Sequence, residues 1–290
     1  MTDPSAADAE KAAEFEHHRS LLFGVAYRML GTVGDAEDVV QEAFLRFRQA
    51  DEVHSPRPFL VRIVTNLSLD VLKSAREQRE TYIGPWLPEP LETALSPQEQ
   101  MLMGESISMA FLVLMESLSP LERAVYLLRE VFSYEYEDIA QMIGRGESAC
   151  RQLYHRAKAH VSERRPRFAV APEAHQRVVE QFLTAVGSGD LHRLEMLLAE
   201  DVRLWSDGGG KVTAATRPLT GAATVAEFLI GISRGYDPAR MTTEIVQVNG
   251  SAALLIREGG RAIVVFTFDT DGERLTALRL IRSPDKLIRL

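Results

Sequence analysis

The sequence predicts a multidomain chain: two all-α helical modules followed by one α+β module. Three observations carry this. Apolar residues recur at helical spacing through roughly the first 165 positions, a proline-rich stretch breaks that helical half in two, and β-rich runs separated by turn residues follow position 200. At 290 residues the chain is long for one domain, and 46% hydrophobic content is too apolar for a disordered chain.

The elements follow in order. Leu21, Leu22, Val25 and Met29 mark a first helix, which Gly31 and Gly34 interrupt. Asp35 stands where an N-cap belongs, ahead of a second helix with Val39, Val40, Ala43, Phe44 and Phe47 on one face. A third helix follows the polar loop Asp51–Pro58 and carries Leu60, Ile63, Val64, Leu67 and Val71. Gly84-Pro85-Trp86-Leu87-Pro88-Glu89-Pro90 then places three prolines where no helix interior accepts them. Helices resume near Pro97 and run to about Glu163, and Arg165-Pro166 and Pro172 mark the next boundary. Beyond it come helical segments over about 173–187 and 190–198. Strand-like runs follow at Val202–Trp205, Ile245–Val248, Ala252–Arg257, Ala262–Asp269 and Thr276–Ile281, with a further helix over Gly221–Gly235.

Charge divides the chain. The formal net charge of −8 would repel nucleic acid if it were spread evenly. Residues 1–166 hold 18 Lys/Arg and 26 Asp/Glu, while residues 167–290 hold 15 of each. Within the acidic half, Arg145, Arg151, Arg156, Lys158, Arg164, Arg165 and Arg167 face only Glu147 and Glu163. A basic island in an acidic half calls for a local explanation.

That island coincides with a helix-turn-helix pattern. Tyr136–Gly144 supplies a first helix in which Ala140 permits close approach, and Arg145-Gly146-Glu147-Ser148 supplies the turn. On the second helix, Ala149, Leu153, Tyr154, Ala157 and Val161 share one face; Ser148, Arg151, Gln152 and His155 share the opposite one. Those four can donate to phosphates or read base edges. The alternative is the solvated face of a plain helical hairpin; the coincident basic island favours DNA.

Arg62, Asn66, Lys73 and Arg76 lie within about 40° of one direction on the third helix, with Leu69 exposed among them. Cations, an amide and an apolar group together suit an opened DNA strand, although this helix taken alone reads more simply as a solvated face. Asp35, Glu37, Asp38, Gln41 and Glu42 crowd the first turns of the second helix. Acids there favour the helix macrodipole, and the same cluster can dock a basic protein partner.

At these residues the chain resembles the bacterial extracytoplasmic-function sigma factors. Asp35–Arg46 is similar to the polymerase-docking helix of their region 2, and Phe59–Asn66 to the segment that melts and reads the −10 promoter element. Leu118-Ser119-Pro120-Leu121-Glu122-Arg123 through His155-Arg156-Ala157 resembles region 4, which reads the −35 element. The resemblance implies that Asp38, Gln41 and Glu42 face the polymerase clamp and that Ser148, Arg151, Gln152 and His155 face DNA. It extends to the subgroup with a SnoaL-like C-terminal extension through Trp86-Leu87-Pro88-Glu89-Pro90, Asp207-Gly208-Gly209-Gly210-Lys211 and Ser283-Pro284-Asp285-Lys286-Leu287, where Ser283 replaces the usual Asn.

This resemblance implies region 2 over residues 1–81, a linker over 82–97, region 4 over 98–165 and a second linker over 166–172. It further implies an α+β SnoaL-like cone with a curved, mostly antiparallel sheet over 173–290, acting in cis on the sigma factor. The implied partners are core RNA polymerase, through its β′ clamp and β flap, and promoter DNA; a small ligand of the extension is left open.

Read on its own residues, Asp207–Lys211 could cradle a phosphate, but its spacing is not that of a P-loop, and a structural or domain-docking role weighs more. For catalysis only Asp207 and His192 present themselves, and Asp269 and Asp271 read as hairpin residues. The main expectation is a non-enzymatic sigma subunit. The rivals are a ligand-sensing helix-turn-helix regulator and a pocket enzyme fused to a DNA-binding module. The single Cys150 excludes an internal disulfide and a multi-thiolate zinc site, and no cofactor or metal is expected. The polar, acidic Met1–Glu10 and the shortness of runs such as Met109–Met115 argue against a signal peptide or a membrane span, so a soluble cytoplasmic protein is expected.

Overall fold

Three helices open the chain: α1 (Pro4–Leu30), α2 (Val33–Gln49) and α3 (Pro56–Glu80). The computed structural model describes residues 4–51, 53–93, 107–164, 170–237 and 239–290, and the side chains of these apart from 4–7, 75–80 and 164. The polar opening residues from Pro4 onward belong to α1, which stops before Gly31; the Gly31 N–H still bonds the Tyr27 carbonyl at 2.8 Å, and its left-handed φ of 74° then turns the chain out of the helix. Phe15 from α1, Phe44 and Phe47 from α2, and Phe59 from α3 form a ladder of rings through this bundle.

Two expectations are corrected here. Asp35 is not the N-cap of α2; Thr32 is, and Asp35 sits in the first turn accepting a hydrogen bond from the Thr32 hydroxyl. The burial of α3 is also rotated from its apolar stripe. Leu69 is only 6% exposed and Leu72 is buried, whereas Ile63, Leu67 and Val71 are half-buried. The reason is a second packing surface: α3 meets α1 and α2 and also two helices that come later in the chain.

Those later helices are α4 (Met109–Glu116), α5 (Pro120–Tyr126) running on through a π turn (Leu127–Val131), α6 (Tyr136–Ile143) and α7 (Glu147–Arg164). The helix start expected near Pro97 lies outside the described residues. α5 begins with Pro120 behind a capping box in which Ser119 and Glu122 satisfy each other's backbone N–H. Contacts divide the chain into two units. One comprises Met1–Glu80, Met101–Ile107 and Phe111–Arg165; the other comprises Thr81–Gln100, Ser108–Ala110 and Pro166–Leu290. The two helical modules therefore share one unit, and the proline-rich linker belongs with the C-terminal residues.

The second unit holds α8 (Pro172–Ser188), α9 (Leu191–Leu197), β1 (Leu198–Asp207), β2 (Leu219–Thr220), α10 (Ala222–Ser233), β3 (Met241–Val248), β4 (Ser251–Glu258), β5 (Arg261–Thr270) and β6 (Leu275–Ile281). The sheet order is β2-β1-β6-β5-β4-β3, and only the β1–β6 pair is parallel. Register shifts at Leu198/Arg203, Ile256/Arg257 and Asp269/Thr270 insert bulges, the device that bends a sheet. This is the curved, mostly antiparallel α+β fold expected for the extension. Because ladder partners share a face, Leu204, Leu278, Leu280, Phe266 and Leu254 point together, into a core completed by Val179, Phe182 and Leu229. Phe182 and Phe268 meet edge to face at 5.0 Å inside it.

Candidate nucleic-acid interface and linker clasp

The helix-turn-helix has the expected local build. Gly144 closes α6 in a left-handed conformation (φ 64°), and the Arg145 N–H bonds the Ala140 carbonyl at 3.0 Å. Behind α7, Cys150, Tyr154, Ala157 and Val161 are buried, Cys150 being an inward residue that face counting left out. Burial pushes the Cys150 thiol up. Ser148, Arg151, Gln152 and His155 are all exposed. The basic island is partly neutralised on the spot: Arg151 pairs with Glu147 and lies 4.4 Å over the Tyr136 ring, Arg156 pairs with Glu122 at 2.9 Å, and Lys158 reaches Glu130 and the Tyr154 hydroxyl.

On α3 the expected DNA-facing residues divide. Arg62 is exposed; Lys73 is exposed and paired with Asp70 at 2.7 Å. Asn66 is half-buried and its Nδ2 donates to the Met142 carbonyl of α6 at 2.9 Å. Leu69, expected to be exposed, is covered, and the Arg76 side chain lies outside the described residues. On α2, Asp35, Glu37, Asp38 and Gln41 are exposed, and Glu42 is half-exposed and bonded to Arg46 at 2.8 Å. Leu45 is 45% exposed one turn beyond Gln41 and Glu42, an apolar neighbour that the acidic pattern did not single out.

In the second unit, Asp207 organises everything near it. It ends β1 with no exposure, because the sheet carries it inward beside Ile281. Its Oδ1 accepts from the Tyr82 hydroxyl and from the Gly209 N–H at 3.0 Å; its Oδ2 accepts from the Leu87 N–H at 2.8 Å and from Lys286 Nζ at 2.7 Å. Lys286 also donates to the Leu87 carbonyl and sits 4.2 Å over Trp86 and 5.2 Å over Tyr82, so a buried cation is held by a carboxylate, a carbonyl and two ring faces. Burial, then the Asp207 hydrogen bond and charge, push the Tyr82 phenol well above its usual range. Glu89 is buried and bonded to Arg289 at 3.3 Å, and Pro88 and Pro90 are buried beside it.

The glycines are explained by close approach. A Cβ on Gly209 would come within 2.5 Å of Ser283 Oγ, and one on Gly208 within 2.3 Å of the Val212 carbonyl oxygen. Gly210 leaves room for Ile83, and Gly209 and Gly210 both take positive φ. The Gly209 N–H already serves the Asp207 carboxylate, so the loop is spent on its own chain and not on an anion. Lys211 forms a bidentate pair with Asp285 on the surface, and Leu287 is buried.

Sequence reasoning missed a second attachment. Leu91–Thr93 lays a short strand against the edge of β3, bridging Glu92 to Val248; the Thr93 N–H bonds the Gln247 carbonyl and the Asn249 N–H the Leu91 carbonyl, both at 2.9 Å. Asn249 Oδ1 accepts from the Leu91 N–H at 3.1 Å, and Thr93 Oγ1 from the Gly250 N–H at 2.9 Å. Asn249-Gly250 was legible as a hairpin turn, and both do take positive φ; its grip on residues about 157 positions away was not.

Of the other candidates, His192 is exposed, Asp271 receives the Glu273 and Arg274 N–H groups of its turn, and Asp269 forms a bidentate pair with Arg279 instead of serving the turn. Among the described residues no group of His, Cys, Asp and Glu could hold a metal, and no helix is long and apolar enough to cross a membrane.

Residues 15–78 match the family Sigma-70 region 2, and residues 108–161 match Sigma-70, region 4. The chain is 36% identical over 289 residues to the ECF RNA polymerase sigma factor SigJ of Mycobacterium tuberculosis (strain H37Rv), covering 95% of this chain and 93% of that protein. It is 30% identical to SigG of the same organism, over 86% of this chain and 74% of SigG. The crystal structure of M. tuberculosis SigJ superposes with a TM-score of 0.77 at 34% identity, over 95% of this chain and 97% of the other.

Proposed function

Because the chain belongs to the extracytoplasmic-function RNA polymerase sigma factors, which direct core polymerase in promoter-specific transcription initiation, we propose how its surfaces divide that work. Asp35, Glu37, Asp38, Gln41 and Glu42 on α2 dock the β′ clamp, with Leu45 adding apolar contact beside them. Region 4 meets the β flap and sets Ser148, Arg151, Gln152 and His155 against the upstream promoter element in the major groove. Arg62, Asn66, Lys73 and Arg76 on α3 take the downstream element as it opens. The C-terminal unit regulates in cis, through the linker that joins the two DNA-binding modules.

One observation carries the regulatory reading: the buried Asp207 carboxylate holds the linker at Tyr82 and Leu87 while Lys286 grips it at Trp86 and Leu87. The linker is therefore bound to the extension by hydrogen bonds spanning more than a hundred residues of sequence. Run-off transcription with purified core polymerase, comparing the full chain with a chain ending before Ala171, tests it. Identical transcription and identical core affinity would end the cis-regulation reading, and absence of any transcript with either form would end the assignment of the surfaces as well.

The rival regulator would bind its operator tightly without polymerase. Pairing of Arg151, Arg156 and Lys158 with acids of the same chain argues for weak binding alone. Against a pocket enzyme stand the complete engagement of Asp207, the exposure of His192 and the aromatic filling of the sheet's inner face.

A further inference from the structure

The helix-turn-helix contains one half-buried tyrosine outside the DNA-facing set, and two guanidiniums lie over its ring. Tyr136 opens α6. Its ring meets the Tyr154 ring of α7 edge to face at 5.9 Å and 74°, and Tyr154 is itself buried with its hydroxyl on Glu130. Arg129, on the π turn that follows α5, lies 4.9 Å from the centre of the Tyr136 ring. The Tyr134 carbonyl at 2.9 Å and the Glu135 carboxylate at 2.8 Å hold it there. Arg151 lies 4.4 Å from the same ring centre and pairs with Glu147 one turn earlier on α7. Each cation has a carboxylate of its own, so one ring can carry both.

The consequence falls on Arg151, whose side chain is 55% exposed. An arginine standing alone on an exposed helix face has as much rotamer freedom as any side chain, and ordering it against a base costs that freedom. Here the ring takes the flat face of the guanidinium and Glu147 takes Nη2, so two contacts fix both its plane and its direction before any DNA arrives. Among the described residues Glu147 is its one hydrogen-bond acceptor, which leaves the Nε and Nη1 donors for another group. A planar fork that only donates finds two adjacent acceptors in the major groove on guanine alone, at O6 and N7.

Resting on the assignment of Arg151 to the upstream element, we propose that Tyr136 is a positioning residue for promoter specificity. Its ring presets the Arg151 fork, the upstream element carries a guanine at the base pair Arg151 meets, and discrimination at that pair depends on a side chain that itself touches no DNA. Tyr154 and Arg129 hold the ring in place and belong to the same device.

A double-mutant cycle in the full chain with core polymerase tests this, on a template that wild type initiates and on single substitutions through its upstream element. Arg151→Ala first identifies the base pair whose preference it abolishes, expected to be G·C. Tyr136→Leu should lower discrimination at that same pair roughly 2- to 5-fold, the weight of an exposed cation–π contact, and leave the other pairs unchanged. Tyr136→Phe keeps the ring and should restore wild-type discrimination, and adding Tyr136→Leu to Arg151→Ala should change nothing further at that pair. Tyr136→Met replaces Tyr136→Leu should thermal melting show the latter unfolded. A loss spread evenly over all templates, an equal loss in Tyr136→Phe, or a further loss in the Arg151→Ala background would make Tyr136 a packing residue and overturn the proposal, with Arg151 still a reader of DNA. Unaltered preferences in Arg151→Ala would overturn the proposal together with the assignment of that surface.

Discussion

Replacing Asp207 by Ala should free the linker without unfolding the domain beneath it. The substitution takes from Lys286, whose side chain is 9% exposed, the carboxylate 2.7 Å away, and strands the buried Leu87 N–H. Removing one partner of a buried ion pair costs about 3–5 kcal/mol, because the remaining charge is left uncompensated. The orphaned amide adds to this, though not additively. Against a domain stability of roughly 5–15 kcal/mol the fold survives, so the loss appears locally as linker release. At about 1.4 kcal/mol per tenfold, the docked-to-undocked ratio drops by roughly two to three and a half orders of magnitude. Hydrogen exchange of the full-length chain reads this directly. Protection of residues 84–93 should fall by about a hundredfold or more while that of β5 is retained. Asp285→Ala is the comparison: it breaks only the exposed pair with Lys211, worth about 0–1 kcal/mol, and should leave residues 84–93 nearly unchanged. Equal protection of residues 84–93 in Asp207→Ala and wild type would refute the reasoning. So would a loss in β5 as large as that in the linker, since the carboxylate would then be holding the fold and not the clasp.

Three further outcomes follow from the same geometry. Gly209→Ala should lower the melting temperature more than Gly259→Ala: both sites have positive φ (62° and 57°), but only at Gly209 does a new Cβ meet a neighbour, Ser283 Oγ at 2.5 Å, and an excess below about 0.5 kcal/mol would deny the clash. Arg151→Ala should cost holoenzyme about 1–3 kcal/mol of discrimination at one upstream base pair, measured by transcription from single-substitution templates; an equal loss on every template would make Arg151 a phosphate contact instead. The Tyr82 phenol must be protonated to donate to Asp207, and its folded pKa lies above the unfolded value near 10, so its contribution is complete below about pH 10 and declines as pH rises past it. Thermal melts of wild type and Tyr82→Phe should therefore converge above pH 10, and a constant gap to pH 11 would contradict this.

The net charge takes on a definite meaning in this setting. The acidic surplus of the first 166 residues is partly displayed on α2, where Asp35, Glu37 and Asp38 are exposed, and partly turned back onto the basic helix, where Glu147, Glu122 and Glu130 pair with Arg151, Arg156 and Lys158. The weak DNA affinity in isolation and the dependence on polymerase that we propose would then have one electrostatic cause.

Local patterns in the sequence were enough to determine the fold class, the helix-turn-helix, the exposure of Ser148, Arg151, Gln152 and His155, and the five late strands, because periodicity, glycine punctuation and capping act over a few residues. The motifs Trp86–Pro90, Asp207–Lys211 and Ser283–Leu287 could be marked as belonging together only by resemblance. Tertiary structure alone decided that Asp207 is their centre, that Tyr82, Thr93 and Asn249 complete the grip on the linker, and that Leu69 is covered while Ile63 and Leu67 are half-exposed. Each of those facts depends on which distant segment arrives at a given face. Helical spacing names the apolar side of α3 but not the number of partners it packs against, and a carboxylate at a strand end carries no local sign of the four donors, from 125 residues before it to 79 after, that converge on it in the fold.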